Sequence, residues 1–228
     1  MGTQMAPSYA NIFMGKLEKE LLAQSRKKPT VWWRYIDDVF ALWTHGEESL
    51  NNFIGEINQA HPTTAEWSKE RVSFLDTTVK LEDGRLVTDL FVKPTDTHQY
   101  LAANSCHPRH CKEAISYSQA LWIRRICSSD ESFNRRTTEL KEHLVRRGYN
   151  PSQVQQLERT RHLRQKDALT PLAKNTQNRR TPLVVSYHPN LPHLTAITQQ
   201  NLPILHASQR LKKAIPEPPI LAYRQPKN

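Results

Sequence analysis

The sequence predicts an α+β fold: a small unit of helix, hairpin, helix and hairpin, then a run of helices, then an extended proline-rich tail. Three observations carry this. Apolar positions recur at helical spacing in several separate segments, and apolar, β-branched runs are divided by short turns. Nine of the 15 prolines fall from Pro171 onward.

Residues 6–22 read as a helix, with Phe13, Leu17 and Leu21 spaced four apart and Met14 beside them. Ser25 to Pro29 interrupts it. The runs Val31–Ile36 and Val39–Trp43 are separated only by Asp37-Asp38, which predicts a tight hairpin with both aspartates in the turn. A helix follows from His45–Glu48, with Leu50, Phe53, Ile54 and Ile57 on one face. Val72–Leu81 and Leu86–Val92, joined by the positive-φ pair Asp83-Gly84, predict a second hairpin.

From Lys93-Pro94 onward the pattern turns helical. Pro108–Cys127 carries Ile115, Trp122 and Ile126 on one stripe. Ser128 and Glu131 form a capping box for the next helix, whose face is Phe133, Thr137, Leu140 and Leu144, with Gly148 as its C-cap. Asn150-Pro151 starts another helix to about Lys166. Two helices joined by a three-residue turn with glycine and asparagine resemble a helix-turn-helix in outline. Leu183–Tyr187 reads as one short strand, and the rest to Asn228 as an extended segment. The expected divisions are 1–98, 99–170 and 171–228.

Charge follows these divisions. The chain of 228 residues has a net charge of +10, a pI near 9.6 and a mean hydropathy of -0.69. Residues 1–98 hold 11 Lys/Arg against 14 Asp/Glu, a net of -3, and residues 99–228 hold 21 against 8, a net of +13. A basic half favours a polyanionic partner. No run of about 18 uncharged apolar residues is present, so no membrane partner is expected. Three cysteines are too few for a disulfide scaffold. With no basic-then-apolar leader, the expected location is the nucleus or cytoplasm.

Asp37 and Asp38 are the candidate catalytic and metal-ligating residues. Adjacent carboxylates supply the hard oxygen donors that Mg²⁺ prefers, and Asp is also an ordinary turn former. Arg124, Arg125, Arg135, Arg136, Arg146 and Arg147 recur in pairs along the expected helices, with Arg159, Arg161 and Arg164 beyond them. They are the candidate phosphate contacts. Cys106, His107, His110 and Cys111 put four soft ligands in six residues, a loop too tight for a structural zinc site, which draws on two separated pairs.

Tyr35-Ile36-Asp37-Asp38, preceded by Gly2-Thr3-Gln4-Met5-Ala6-Pro7-Ser8-Tyr9-Ala10-Asn11, resembles reverse transcriptase motifs C and B. Phe74-Leu75-Asp76, Lys93-Pro94-Thr95-Asp96, Ser105-Cys106-His107-Pro108 and Arg124-Arg125-Ile126-Cys127-Ser128 are similar to Penelope-like retroelement polymerases. The resemblance implies a right-hand RNA-directed DNA polymerase, a nucleotidyltransferase using Mg²⁺: a partial palm to residue 98, an α-helical thumb over 99–170, and a Pro-rich connector. It makes Asp37 and Asp38 the metal ligands of motif C. Gly2, Thr3, Met5, Pro7, Asn11 and Tyr35 become template or nucleotide contacts, and an RNA template and RNA–DNA duplex become the partners. It also implies an upstream motif A aspartate and fingers that these residues lack, so the chain is expected to be inactive alone, with a missing N-terminal polymerase part as a candidate partner. The alternative is a non-catalytic nucleic-acid-binding helix-turn-helix module over Ser128–Lys166.

Overall fold

The computed structural model describes residues 5–60, 65–170 and 180–224. The fold is mixed α+β, 49% helix and 18% strand, with small sheets. The chain divides into two compact units, one of residues 1–94 with 126–129 and the other of 95–125 with 130–228.

In the first unit α1 spans Ala6–Gln24 and α2 spans Glu47–Ala60. Between them β1 (Val31–Tyr35) and β2 (Asp38–Leu42) pair antiparallel. Phe53 of α2 is 4% exposed because two indoles enclose it: Trp32 meets it edge-on at 6.1 Å and Trp43 stacks on it at 4.8 Å. Burying such a ring is worth about 1.5–3 kcal/mol, and favourable ring pairs add roughly 0.5–1.5 each. Ser25 ties the two helices, donating to the Leu21 carbonyl and to Glu56. The hairpin is therefore only partly uncovered: Trp32, Phe40 and Trp43 pack, while Trp33 and Tyr35 remain 63% and 57% exposed.

The register corrects the first turn. Tyr35 faces Asp38, so the two central residues are Ile36 and Asp37, and Asp38 is the first residue of β2. The second hairpin is a three-stranded meander, β3 (Arg71–Phe74), β4 (Thr77–Glu82) and β5 (Arg85–Leu90). Asp83 and Gly84 have the expected positive φ, 49° and 72°. The single strand expected over 72–81 breaks at Leu75-Asp76, where Leu75 takes φ 53°. The alternation of Leu75, Thr77, Val79 and Leu81 conceals that turn, since a two-residue loop preserves the period of two.

In the second unit α3 spans Arg109–Ile126 and α4 spans Asp130–Arg146. The buried stripe of α3 is Ser116, Ala120, Ile123 and Arg124, one position away from the expected Ile115, Trp122 and Ile126. The centre of that stripe is made of small residues, Ser116 and Ala120, both 0% exposed. The expected α4 face is present: Phe133, Leu140 and Leu144 are at most 2% exposed. Since α4 begins at Asp130, Ser128 does not stand at its N-cap position. Its hydroxyl instead accepts from the Thr88 backbone N–H, within the first unit.

Gly148 ends α4 at φ 82°, with Gly148 N–H donating to Val145 and Tyr149 N–H to Leu144, a Schellman motif. Asn150 then caps α5 (Pro151–Val154): its side chain accepts from Gln153 N–H and the Gln153 side chain accepts from its own N–H. The single helix expected to Lys166 is absent. A 3₁₀ helix takes over at Gln155–Thr160, and α6 spans Gln165–Leu169. Val154, Leu157 and Thr160 are all buried, and a spacing of three stays on one face only in a 3₁₀ helix.

The tail is not an extended segment. β6 (Pro182–Ser186) pairs in parallel with β7 (Ile220–Arg224), and α7 (Leu194–His206) and α8 (Gln209–Ala214) lie in the connection. Parallel strands require such a long crossover. Its prolines stand mainly at element boundaries, as Pro182 opens β6 and Pro218 and Pro219 precede β7.

Gly148→Ala places a side chain at a left-handed backbone position, and unfolding in urea is expected to show a loss of about 1–2 kcal/mol. An unchanged midpoint would show that the Schellman geometry is not what ends α4.

Candidate nucleic-acid interface

Arg124 organises the helical unit. Its side chain is 7% exposed, and its guanidinium lies 4.4 Å over the Phe133 ring. Its Nε donates to the Leu163 carbonyl and its Nη2 to Asp130. A buried guanidinium is tolerated only when its charge and its donors are met, and all three contacts do this. Arg124 is therefore corrected from a phosphate contact to a structural residue.

The neighbouring pairs divide similarly, because successive helical residues point about 100° apart. Arg147 is drawn inward and donates from Nε to the Tyr100 carbonyl at 2.7 Å, while Arg146 is exposed and meets Glu142 at 3.7 Å. Tyr149 donates to the Leu101 carbonyl and Ala103 N–H to that of Arg147, so segment 100–103 is clasped to the end of α4. Arg125 is exposed while its Nε donates to the Ala168 carbonyl. Arg136 pairs with Glu139 at 3.0 Å, and Arg135 is exposed. Of the six arginines named from sequence, the outward set is Arg125, Arg135 and Arg146.

Residues 99–157 match the family described as the animal helix-turn-helix domain. The matched stretch covers segment 100–103, α3, α4, the Gly148–Asn150 turn, α5 and the first half of the 3₁₀ helix. No curated protein and no solved structure matches the chain.

The other sequence-derived residues lie in the first unit. Gly2 and Thr3 are outside the described residues. Met5 is 77% exposed, and Pro7 stands in the first turn of α1. Asp37 and Asp38 are both exposed, one in the turn and one in β2. Among the described residues no group of three or more His, Cys, Asp or Glu is placed to hold a metal ion. The loop expected over Cys106–Cys111 gives way to α3 at Arg109, and in its first turn Cys111 Sγ lies 3.3 Å from His110 Nε2.

Sequence reasoning passed over Arg34, which determines how the Asp37 turn is held. Ile36 takes φ 57°, a conformation costing a β-branched residue about 1–3 kcal/mol. Arg34 Nη1 donates to the Ile36 carbonyl at 2.8 Å and to Asn11 Oδ1 at 2.9 Å. Its Nε meets Glu18 at 2.9 Å, and Glu18 also accepts from the Trp32 indole. The only signal in sequence was an arginine two residues before a turn, which is too common to single out.

A histidine pair marks segment 95–100. His98, at φ 49°, packs against His143 of α4 with centroids 4.1 Å apart and the rings tilted by 33°. Burial, His98 and Arg146 hold the His143 imidazole below its ordinary pKa, against opposing pulls from Glu139 and Glu142. The folded form thus binds that proton less tightly than the unfolded chain. Stability is expected to fall as pH drops below about 6.5. The urea midpoint should decline between pH 7.5 and 5.5, and decline less in His143→Gln; equal declines would remove His143 as the cause.

Proposed function

We propose that residues 99–170 form a nucleic-acid-binding helix-turn-helix module that grips a duplex through its phosphate backbone. The observation that carries this is the match over 99–157, in the basic part of the chain, falling on helices joined by the Gly148–Asn150 turn. Support also comes from composition: residues 99–170 hold 13 Lys/Arg against 7 Asp/Glu. The α5 turn and its 3₁₀ extension together span only residues 151–160, short for a recognition helix lying along a major groove. Backbone contact and duplex shape therefore carry the binding, which suits A-form-like RNA–DNA duplexes as well as DNA.

In fluorescence anisotropy with the full chain, affinity for a 20-base-pair duplex is expected to fall about 150-fold from 50 to 200 mM salt, the response of roughly four neutralised phosphates. RNA–DNA and DNA duplexes of unrelated sequence are expected to bind within a few-fold of one another. Failure to bind at 50 mM salt would sink the proposal.

A second reading is favoured by one contact in the first unit. Asn11, in the stretch that resembles motif B, accepts a hydrogen bond from Arg34, which precedes the box that resembles motif C. On this reading residues 1–98 are a partial polymerase palm of a Penelope-like element. Asp37 and Asp38 would supply oxygen donors to Mg²⁺, and the ion's chemistry would be charge neutralisation at phosphates. Two adjacent carboxylates do not complete a site. Mn²⁺ titration followed by electron paramagnetic resonance is expected to show weak binding that Asp37→Asn with Asp38→Asn abolishes; binding indifferent to both substitutions would remove this reading.

A further inference from the structure

Residues 159–166 read Arg159-Thr160-Arg161-His162-Leu163-Arg164-Gln165-Lys166: four cations and no acid in eight positions. This turn lies just beyond the matched helix-turn-helix stretch. Its inward positions are all accounted for. Thr160 is fully buried, Ala168 is 4% exposed, and Leu157 behind them is 7% exposed. Its outward positions are Arg159, Arg161, Arg164 and Lys166, all exposed. Arg161 pairs with Glu158 at 2.9 Å, whereas Arg159, Arg164 and Lys166 have no acidic partner among the described residues.

The backbone of this turn is held by the arginine pair of α3. Arg124 donates to the Leu163 carbonyl, Arg125 to the Ala168 carbonyl, and Gln165 donates back to the Arg125 carbonyl. One side of the turn is thus tied down by two hydrogen bonds from or to residues 124 and 125, and a third holds Ala168 just beyond it in α6. The other side carries cations free to meet an anion. Ordering a segment in advance lowers the entropy lost on binding, so a tethered row of charges binds a polyanion better than the same charges on a loose chain.

We infer that the turn 159–166 is the principal phosphate-contacting surface of the module, and that Arg124 and Arg125 act as positioning residues that fix it against α3. This rests on the nucleic-acid reading and assigns it a surface. The partner is a nucleic-acid duplex contacted on its sugar–phosphate backbone. Regularly spaced phosphates match a row of separate cations, and the turn holds no Phe, Tyr or Trp to serve as a stacking platform for bases.

The test uses the full chain and the same labelled duplex. Arg159→Ala, Arg164→Ala and Lys166→Ala combined are expected to weaken binding at least tenfold at 100 mM salt and to lower the salt slope by about 2.7, with an unchanged circular dichroism spectrum. Arg124→Lys keeps the charge but not the forked donor geometry. It is expected to lose affinity at least fivefold, with faster hydrogen exchange over 159–166. If Arg124→Lys does not fold, Gln165→Ala, which removes one tether and no charge, takes its place and is expected to lose affinity about threefold with the same exchange signature. Wild-type slope and affinity in the triple variant would overturn the surface, and full binding by Arg124→Lys or Gln165→Ala would overturn the positioning role. A wild-type chain that binds no duplex would instead sink the nucleic-acid reading beneath both.

Discussion

Arg124 carries a charge into the packed part of the helical unit, and much of that unit is arranged to make its burial tolerable. Phe133 offers its ring face, Asp130 its carboxylate and Leu163 its carbonyl. These partners come from the start of α4 and from the turn after the 3₁₀ helix, so one side chain joins three parts of the chain that sequence alone separates. Removing one partner of such a charge strands the others, which is why buried pairs are costly to break even where they add little on balance. The short span of α5 follows the same logic. Val154, Leu157 and Thr160 wind inward at a spacing of three and bring the Leu163 carbonyl within reach of the guanidinium.

The first unit repeats the device around a different strain. Arg34 is half-buried, donates from Nη1 to Asn11 and the Ile36 carbonyl, and is ion-paired with Glu18. The beneficiary is a turn that a β-branched residue enters only at a cost. In both units the arginine shapes a loop whose neighbouring residues carry the candidate chemistry: exposed carboxylates in one, exposed cations in the other. A count of charges cannot separate these roles. Arg124 and Arg159 contribute equally to the net charge, yet one holds the fold and the other faces solvent.

Local signals were the most legible in the sequence. Gly148 and Asn150-Pro151 mark where α4 ends and α5 begins, since a positive φ and an N-cap each demand particular residue types. Asp83-Gly84 marks its turn for the same reason. Phe133, Leu140 and Leu144 were readable because a four-residue spacing with large side chains admits one face. The turns at Ile36-Asp37 and Leu75-Asp76 were not, because nothing in the residue types favours a left-handed isoleucine or leucine. The α3 stripe was misplaced by one position because its buried centre is Ser116 and Ala120, which carry little hydrophobic signal. In the tail, prolines at element ends look the same in sequence as prolines that prevent elements, and Pro203 lies inside α7 itself.

The basic residues of the helical unit divide into those that hold the fold and those that face solvent, the latter being the proposed phosphate contacts. Arginine modification by phenylglyoxal, read by peptide mass spectrometry with and without saturating duplex, tests that division at each side chain. Arg124 is expected to stay unreactive in both states, and Arg159 and Arg164 to react in the free protein and be protected by the duplex. An Arg124 that reacts when free and is protected on binding, or an Arg159 and Arg164 indifferent to duplex, would contradict the account.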